Sequence, residues 1–167
     1  MNGLRQGAYG LWNPTWLAAV RAYMVAVAIG SLIWEFAQLP LYTIWTEGTT
    51  GEIAFAVLHC TAGDVLIAAI ALLAALVLVG DARWPARRFV HVAPLAITFA
   101  VLYTVFSEWL NVEVRSGWAY SDFMPTLPVL RTGLSPLAQW IVVPAISFWW
   151  VRRASVVVDN NFEDLHR

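Results

Sequence analysis

The residues of this chain best equipped for chemistry are acids and amides set inside its most apolar stretches. Glu35 and Gln38 sit in "WEFAQLPLY", and His59, Cys60 and Asp64 in "LHCTAGDVLIA". Thr104, Glu108 and Asn111 occupy "YTVFSEWLN", and Gln139 lies in "GLSPLAQW". On helices, Glu35 and Gln38 share a face at i, i+3, Cys60 and Asp64 share one at i, i+4, and Thr104, Glu108 and Asn111 form a stripe. His59 and Asp64 are five apart and stand about 140° from each other around a helix. Carboxylic acids held away from water suit acid–base work. Such a group retains and then donates a proton, while a neighbouring His or second carboxylate accepts one. In that scheme Glu108 or Glu35 is the acid, His59 the base or partner and Asp64 its orienter. Gln38 and Gln139 are placed to contact a substrate.

Other chemistries fit less well. Zinc takes three or four ligands from His, Cys and carboxylate. His59, Glu35 and Glu108, with Asp64, are the candidates, but their spacing matches no zinc motif. Haem b held by two histidines needs them on facing helices at one depth, and His59 falls near the outer face while His91 falls near the inner. A ferritin-like di-iron site needs Glu-x-x-His repeats, which are absent. No GxSxG supports a serine nucleophile. The single cysteine, Cys60, makes neither an internal disulfide nor a CxxC pair. The cofactor is therefore left open, and no motif names a reaction.

The elements that must position these residues are legible from composition. Of 167 residues 60% are hydrophobic and only 13% charged, against about a quarter charged in ordinary soluble domains. The apolar residues fall in four long runs, about 16–42, 53–79, 89–112 and 136–151. Each approaches the roughly 20 residues a spanning helix needs. The runs are too long and continuous for barrel strands. The expected fold is all-α, a polytopic transmembrane four-helix bundle forming one integral-membrane domain over 1–167. Asn13 and Pro14 read as the start of the first helix.

Arginine placement sets the expected orientation. Arg5 and Arg21, then Arg83, Arg87 and Arg88, then Arg152 and Arg153 flank one side. The first loop carries Glu47 and Glu52 and no arginine. Both termini should be cytoplasmic, with the first and third loops outside. Trp12, Trp16, Trp84, Trp149 and Trp150 on one side, and Trp45, Trp109 and Trp140 on the other, read as interfacial belts. Trp34 and Trp118 are the exceptions. The C-terminal tail reads as a helix extension or a frayed end.

By a rise of about 1.5 Å per residue, Glu35, His59 and Glu108 lie about 6 to 10 Å inside the outer boundary. Gln38 and Gln139 are shallower and Asp64 deeper. A charge at the bilayer centre costs at least ~2.5 kcal/mol, so these groups should turn inward onto one polar pocket or bond one another as helix glue. The long outer loop between helices 3 and 4 carries Trp118, Tyr120, Phe123 and Met124 and two prolines, which suits a lid. Trp118 and Tyr120 are candidate substrate contacts there. Arg115 could pair with Glu113 or reach Glu108. The substrate of such a pocket is lipid-like or a small hydrophobic molecule entering sideways from the membrane. The rival reading is an accessory subunit of a larger membrane complex, or a metal-binding or transport protein. Membrane lipid and other subunits or self-association are the expected partners. A net charge of −1 gives no reason to expect nucleic acid.

The segments "WEFAQLPLY", "LHCTAGDVLIA", "FSEWLN", "GWAYSDFMP" and "GLSPLAQW" resemble a group of small bacterial inner-membrane proteins. The resemblance runs from about Trp34 to Pro144. It implies a four-helix protein of the bacterial inner membrane and brings no activity with it.

Overall fold

A computed structural model describes residues 14–81, 83–128 and 131–164, with side chains between 16 and 153. Arg5, Trp12 and the cap at Asn13 lie outside the described residues. The chain is helical throughout its main elements: α1 (Pro14–Gln38), α2 (Ile44–Glu47), α3 (Thr50–Val79), α4 (Phe89–Trp109) and α5 (Leu134–Asp164). A 3-10 turn, Leu39–Leu41, ends α1, and a π turn, Leu110–Val114, ends α4. Four of these helices are long and apolar enough to cross a membrane: Trp16–Leu41, Thr50–Val79, Phe89–Val114 and Leu134–Arg153. The protein is therefore read as a multi-pass membrane protein.

Local chemistry explains the boundaries. Thr49 Oγ1 accepts from Glu52 N at 3.3 Å, and Glu52 Oε2 accepts from Thr49 N at 2.8 Å. This reciprocal cap satisfies donors that a helix start leaves open. It begins α3 three residues earlier than the apolar run suggests. The last helix also starts earlier than expected, at Leu134, and continues through Arg152 and Arg153 to Asp164. The tail is thus a helix extension as far as Asp164. The short helix α2 was not expected in the first loop.

The long helices form a ring, with α1 and α4 each packed between α3 and α5. At one end the interior is dry. Tyr23 stacks on Phe148 with ring centroids 4.3 Å apart, and Val27, Val92 and Val151 close the space around them. Ala68, Ala71, Ala75, Ala96 and Ala100 are all buried. Small residues of this kind let helix backbones approach closely where no water drives them together. Gly30 serves the same purpose. A Cβ there would lie 2.8 Å from Val143 Cγ1, so the close approach of α1 to Val143 of α5 at this point uses the missing carbon.

Two tryptophans depart from the belt expectation. Trp84 is 1% exposed and joins the dry core, and Trp140 is also buried. Sequence position put both near a boundary but could not say that they point inward. Trp45, Trp109, Trp149 and Trp150 are exposed. Outward faces of the helices are apolar, with Ile33, Phe36, Leu66, Val77, Leu102 and Ile146 all largely exposed. Such a continuous apolar surface belongs in lipid rather than water.

Candidate functional site

At the other end of the bundle the same four helices enclose a different interior. Glu35 from α1, Asp64 from α3 and Glu108 from α4 are 9%, 8% and 7% exposed. All three line one open cleft of about 1340 Å³. Helix α5 supplies Gln139, which crosses the ring: its Nε2 donates to Asp64 Oδ2 at 2.6 Å. Its Oε1 stands 3.5 Å from Gln38 Nε2, which also donates to Glu35 Oε1 at 2.9 Å. Ser135 extends the chain, donating to Gln38 Oε1 at 2.8 Å and accepting from Trp34 Nε1 at 3.2 Å. Three helices, α1, α3 and α5, are thereby tied by amides and hydroxyls to two of the acids.

Glu108 has its own support. Tyr120 OH donates to Glu108 Oε2 and accepts from Gly133 N at 2.9 Å. One phenol therefore clasps the acid to both ends of the segment 115–133. Gly133 is needed for this approach, because a Cβ would lie 2.9 Å from Met124 Sδ and 3.2 Å from the Tyr120 ring. The segment is pinned to the turn after α1 by Thr43 N to Ala119 O at 3.0 Å and Ser121 N to Leu41 O at 2.9 Å. Burial, and then the hydrogen bond to Glu108, pushes the Tyr120 phenol above the ordinary tyrosine range. Tyr42 lies beside it with ring centroids 5.6 Å apart. Burial first, then the charge of Glu108, raises the Tyr42 phenol as well.

The expected residues are not all brought together. Gln38, Asp64, Glu35, Glu108 and Gln139 converge, and Trp118 and Tyr120 border the same cleft or hold its acid. Trp118 is part-buried, and its indole nitrogen lies close to Glu108 without reaching hydrogen-bond geometry. His59 reaches the wall of the cleft but is exposed and stacks on Phe55, with ring centroids 5.4 Å apart. It makes no hydrogen bond to a carboxylate among the described residues. The five-residue step to Asp64 turns its ring away from the acids. The base role assigned to His59 therefore has no geometry behind it. The metal set of His59, Glu35 and Glu108 fails for the same reason, and no three His, Cys, Asp or Glu side chains among the described residues could hold one ion. Glu113 pairs with Arg131 at 3.5 Å rather than with Arg115, which is exposed.

Three contributors escaped the sequence reading. Ser31, fully buried one turn before Glu35, has its hydroxyl close to Asp64. Ser135 stands just before the expected fourth run, 136–151, and Tyr42 at the end of the first, 16–42, with nothing in the sequence to mark either as polar support. Ser31 follows Gly30 at i, i+4 from Glu35, a spacing that could have placed it on the same face.

No protein-family model, curated protein or solved structure matches the chain. The functional reading rests on geometry.

Proposed function

We propose that this is a protein of the bacterial inner membrane whose cleft receives a lipid-like or small hydrophobic molecule and presents it to buried carboxylates. The observation that carries the reading is the convergence of Glu35, Asp64 and Glu108, from three helices, on one accessible cleft. Acids used only as helix glue would close the space between the helices. Here long polar side chains line an open cavity instead, and ionisable groups inside a membrane protein mark functional sites by default.

The cleft walls change character along α3. Around Glu35 and Glu108 they are polar and aromatic, and beyond Asp64 they include Ile67 and Phe99, with Leu66 and Ile70 on the exposed rim. That gradient suits an amphiphile, its tail along the apolar side of the cleft and its polar end against the acids. Glu108 and Tyr120, already joined by a hydrogen bond, are the pair placed to exchange a proton with a bound molecule. In this reading both termini are cytoplasmic. The first and third loops, and with them the cleft mouth, face the periplasm, in keeping with arginines at the dry end and acids at the mouth.

Gly63 gives a clean test. It lines the cleft, and a Cβ built on it meets nothing within 4 Å. A Gly63→Phe variant should fold and fill the cavity. Lipid extracted from wild-type protein purified in mild detergent should include a species near one per chain that the variant loses. Equal retention by both proteins would contradict the reading.

A further inference from the structure

The charges around the cleft are one-sided. Its lining includes five carboxylates, Glu35, Glu47, Glu52, Asp64 and Glu108, and no arginine. All ten basic residues of the chain are arginines. The ion pair seen among the described residues, Arg131 with Glu113, lies outside the lining. The hydrogen bonds to the three buried acids come from neutral donors: Gln38 to Glu35, Gln139 to Asp64 and Tyr120 to Glu108. Each carboxylate has about four lone-pair sites, so each retains acceptor capacity toward the cavity.

Buried charges in proteins are ordinarily paired. Among the described residues no arginine lines the cleft, and the histidine there, His59, stacks on Phe55 instead of bonding an acid, yet a space is left beside the carboxylates. Aromatic residues, Tyr42, Phe55 and Trp118, border that space, and ring faces attract cations. The apolar side of the cleft, Ile67 and Phe99 with exposed Leu66 and Ile70, suits a hydrocarbon tail. We infer that the ligand is a cationic amphiphile, a long-chain molecule with an ammonium headgroup seated among Glu35, Asp64 and Glu108. The inference rests on the cleft reading above and adds the sign of the headgroup charge. A fatty acid or other anionic amphiphile is disfavoured by the same walls, since like charges brought together inside low-dielectric surroundings repel strongly.

The test uses the full chain in dodecyl maltoside micelles, with tetradecylamine, tetradecanol or tetradecanoate added as a minor component. A saturable change in tryptophan fluorescence reads binding, helped by Trp118 and Trp140 at the cleft. The amine should bind roughly tenfold or more tightly than the alcohol, as expected for hydrogen bonds to a charged group, with the carboxylate weakest. The double variant Glu35→Gln, Glu108→Gln should lose the preference for amine while still binding tetradecanol, which shows that its cleft remains formed. Gly63→Phe should block all three probes. If alcohol or carboxylate binds as tightly as amine and Gly63→Phe still blocks them, the cationic headgroup is wrong and the cleft stands. An amine preference that survives the double variant also overturns the inference. If no probe saturates, or binding ignores Gly63→Phe, cleft and headgroup fail together.

Discussion

The two ends of this bundle use the same four helices to opposite effect. At the dry end, alanines, Gly30 and the Tyr23–Phe148 stack bring the backbones into contact. At the cleft end, glutamates and glutamines of greater reach occupy the equivalent interior and leave space between them. The dry end therefore sets the angle and register of the helices, and the cleft end uses that rigidity to hold acids that have no arginine beside them in the cleft. Close apolar packing and buried polar groups are divided along the length of the helices rather than between domains.

That division predicts a graded set of responses. The largest belongs to the dry end. Phe148→Ala removes the partner of Tyr23 and should cost about 3–5 kcal/mol, read as a lowered unfolding midpoint in detergent. A loss below about 1 kcal/mol would show that the dry end does not hold the bundle together. Glycine substitutions sharpen the contrast. Gly30→Ala drives a methyl into Val143 and should cost about 1–3 kcal/mol. Gly63→Ala meets open space and should add about 0.5–1 kcal/mol through better helix propensity. Equal effects from the two would erase the distinction between the ends.

Tyr120→Phe acts on the clasp alone. It leaves Gly133 N–H and Glu108 without the phenol and should loosen segment 115–128 by about 1–2 kcal/mol, seen as faster hydrogen exchange there. The pH dependence follows from the raised Tyr120 pKa. The folded state holds that proton more tightly than the unfolded chain. The clasp's contribution is thus complete below about pH 10, the ordinary tyrosine value, and is lost as pH rises through the higher folded value. The phenylalanine variant should lack this alkaline step. The smallest perturbation tests orientation. In a Cys60→Ser background, a cysteine at Gly48 should react with an impermeant maleimide added to intact cells, and one at Arg87 should not. The reverse pattern would put the cleft on the cytoplasmic side.

Much of this arrangement was legible in the chain because helix rise converts residue number into depth. Glu35, Gln38, Asp64, Glu108 and Gln139 fell at related depths in four separate runs, and they do meet. Depth carries no information about direction around the helix axis, and that is where the reading of His59 failed. The same blindness put Trp84 and Trp140 at interfaces when both point inward. The clasp was hidden for a different reason. Tyr120 reaches Glu108 and Gly133 through the path of an irregular segment, which no periodicity encodes. The Thr49-x-x-Glu52 cap, by contrast, was written plainly in the first loop and was overlooked beside the charge count there.

The central claim is that Glu35, Asp64 and Glu108 face one occupied cavity while the opposite end is closed. An experimental structure of the protein in lipid nanodiscs tests it most directly. The account predicts non-protein density in the cleft, within hydrogen-bond reach of these carboxylates, and none between Tyr23 and Phe148. Helices packed shut around Gly63, with each acid turned to its own neighbours, would contradict it.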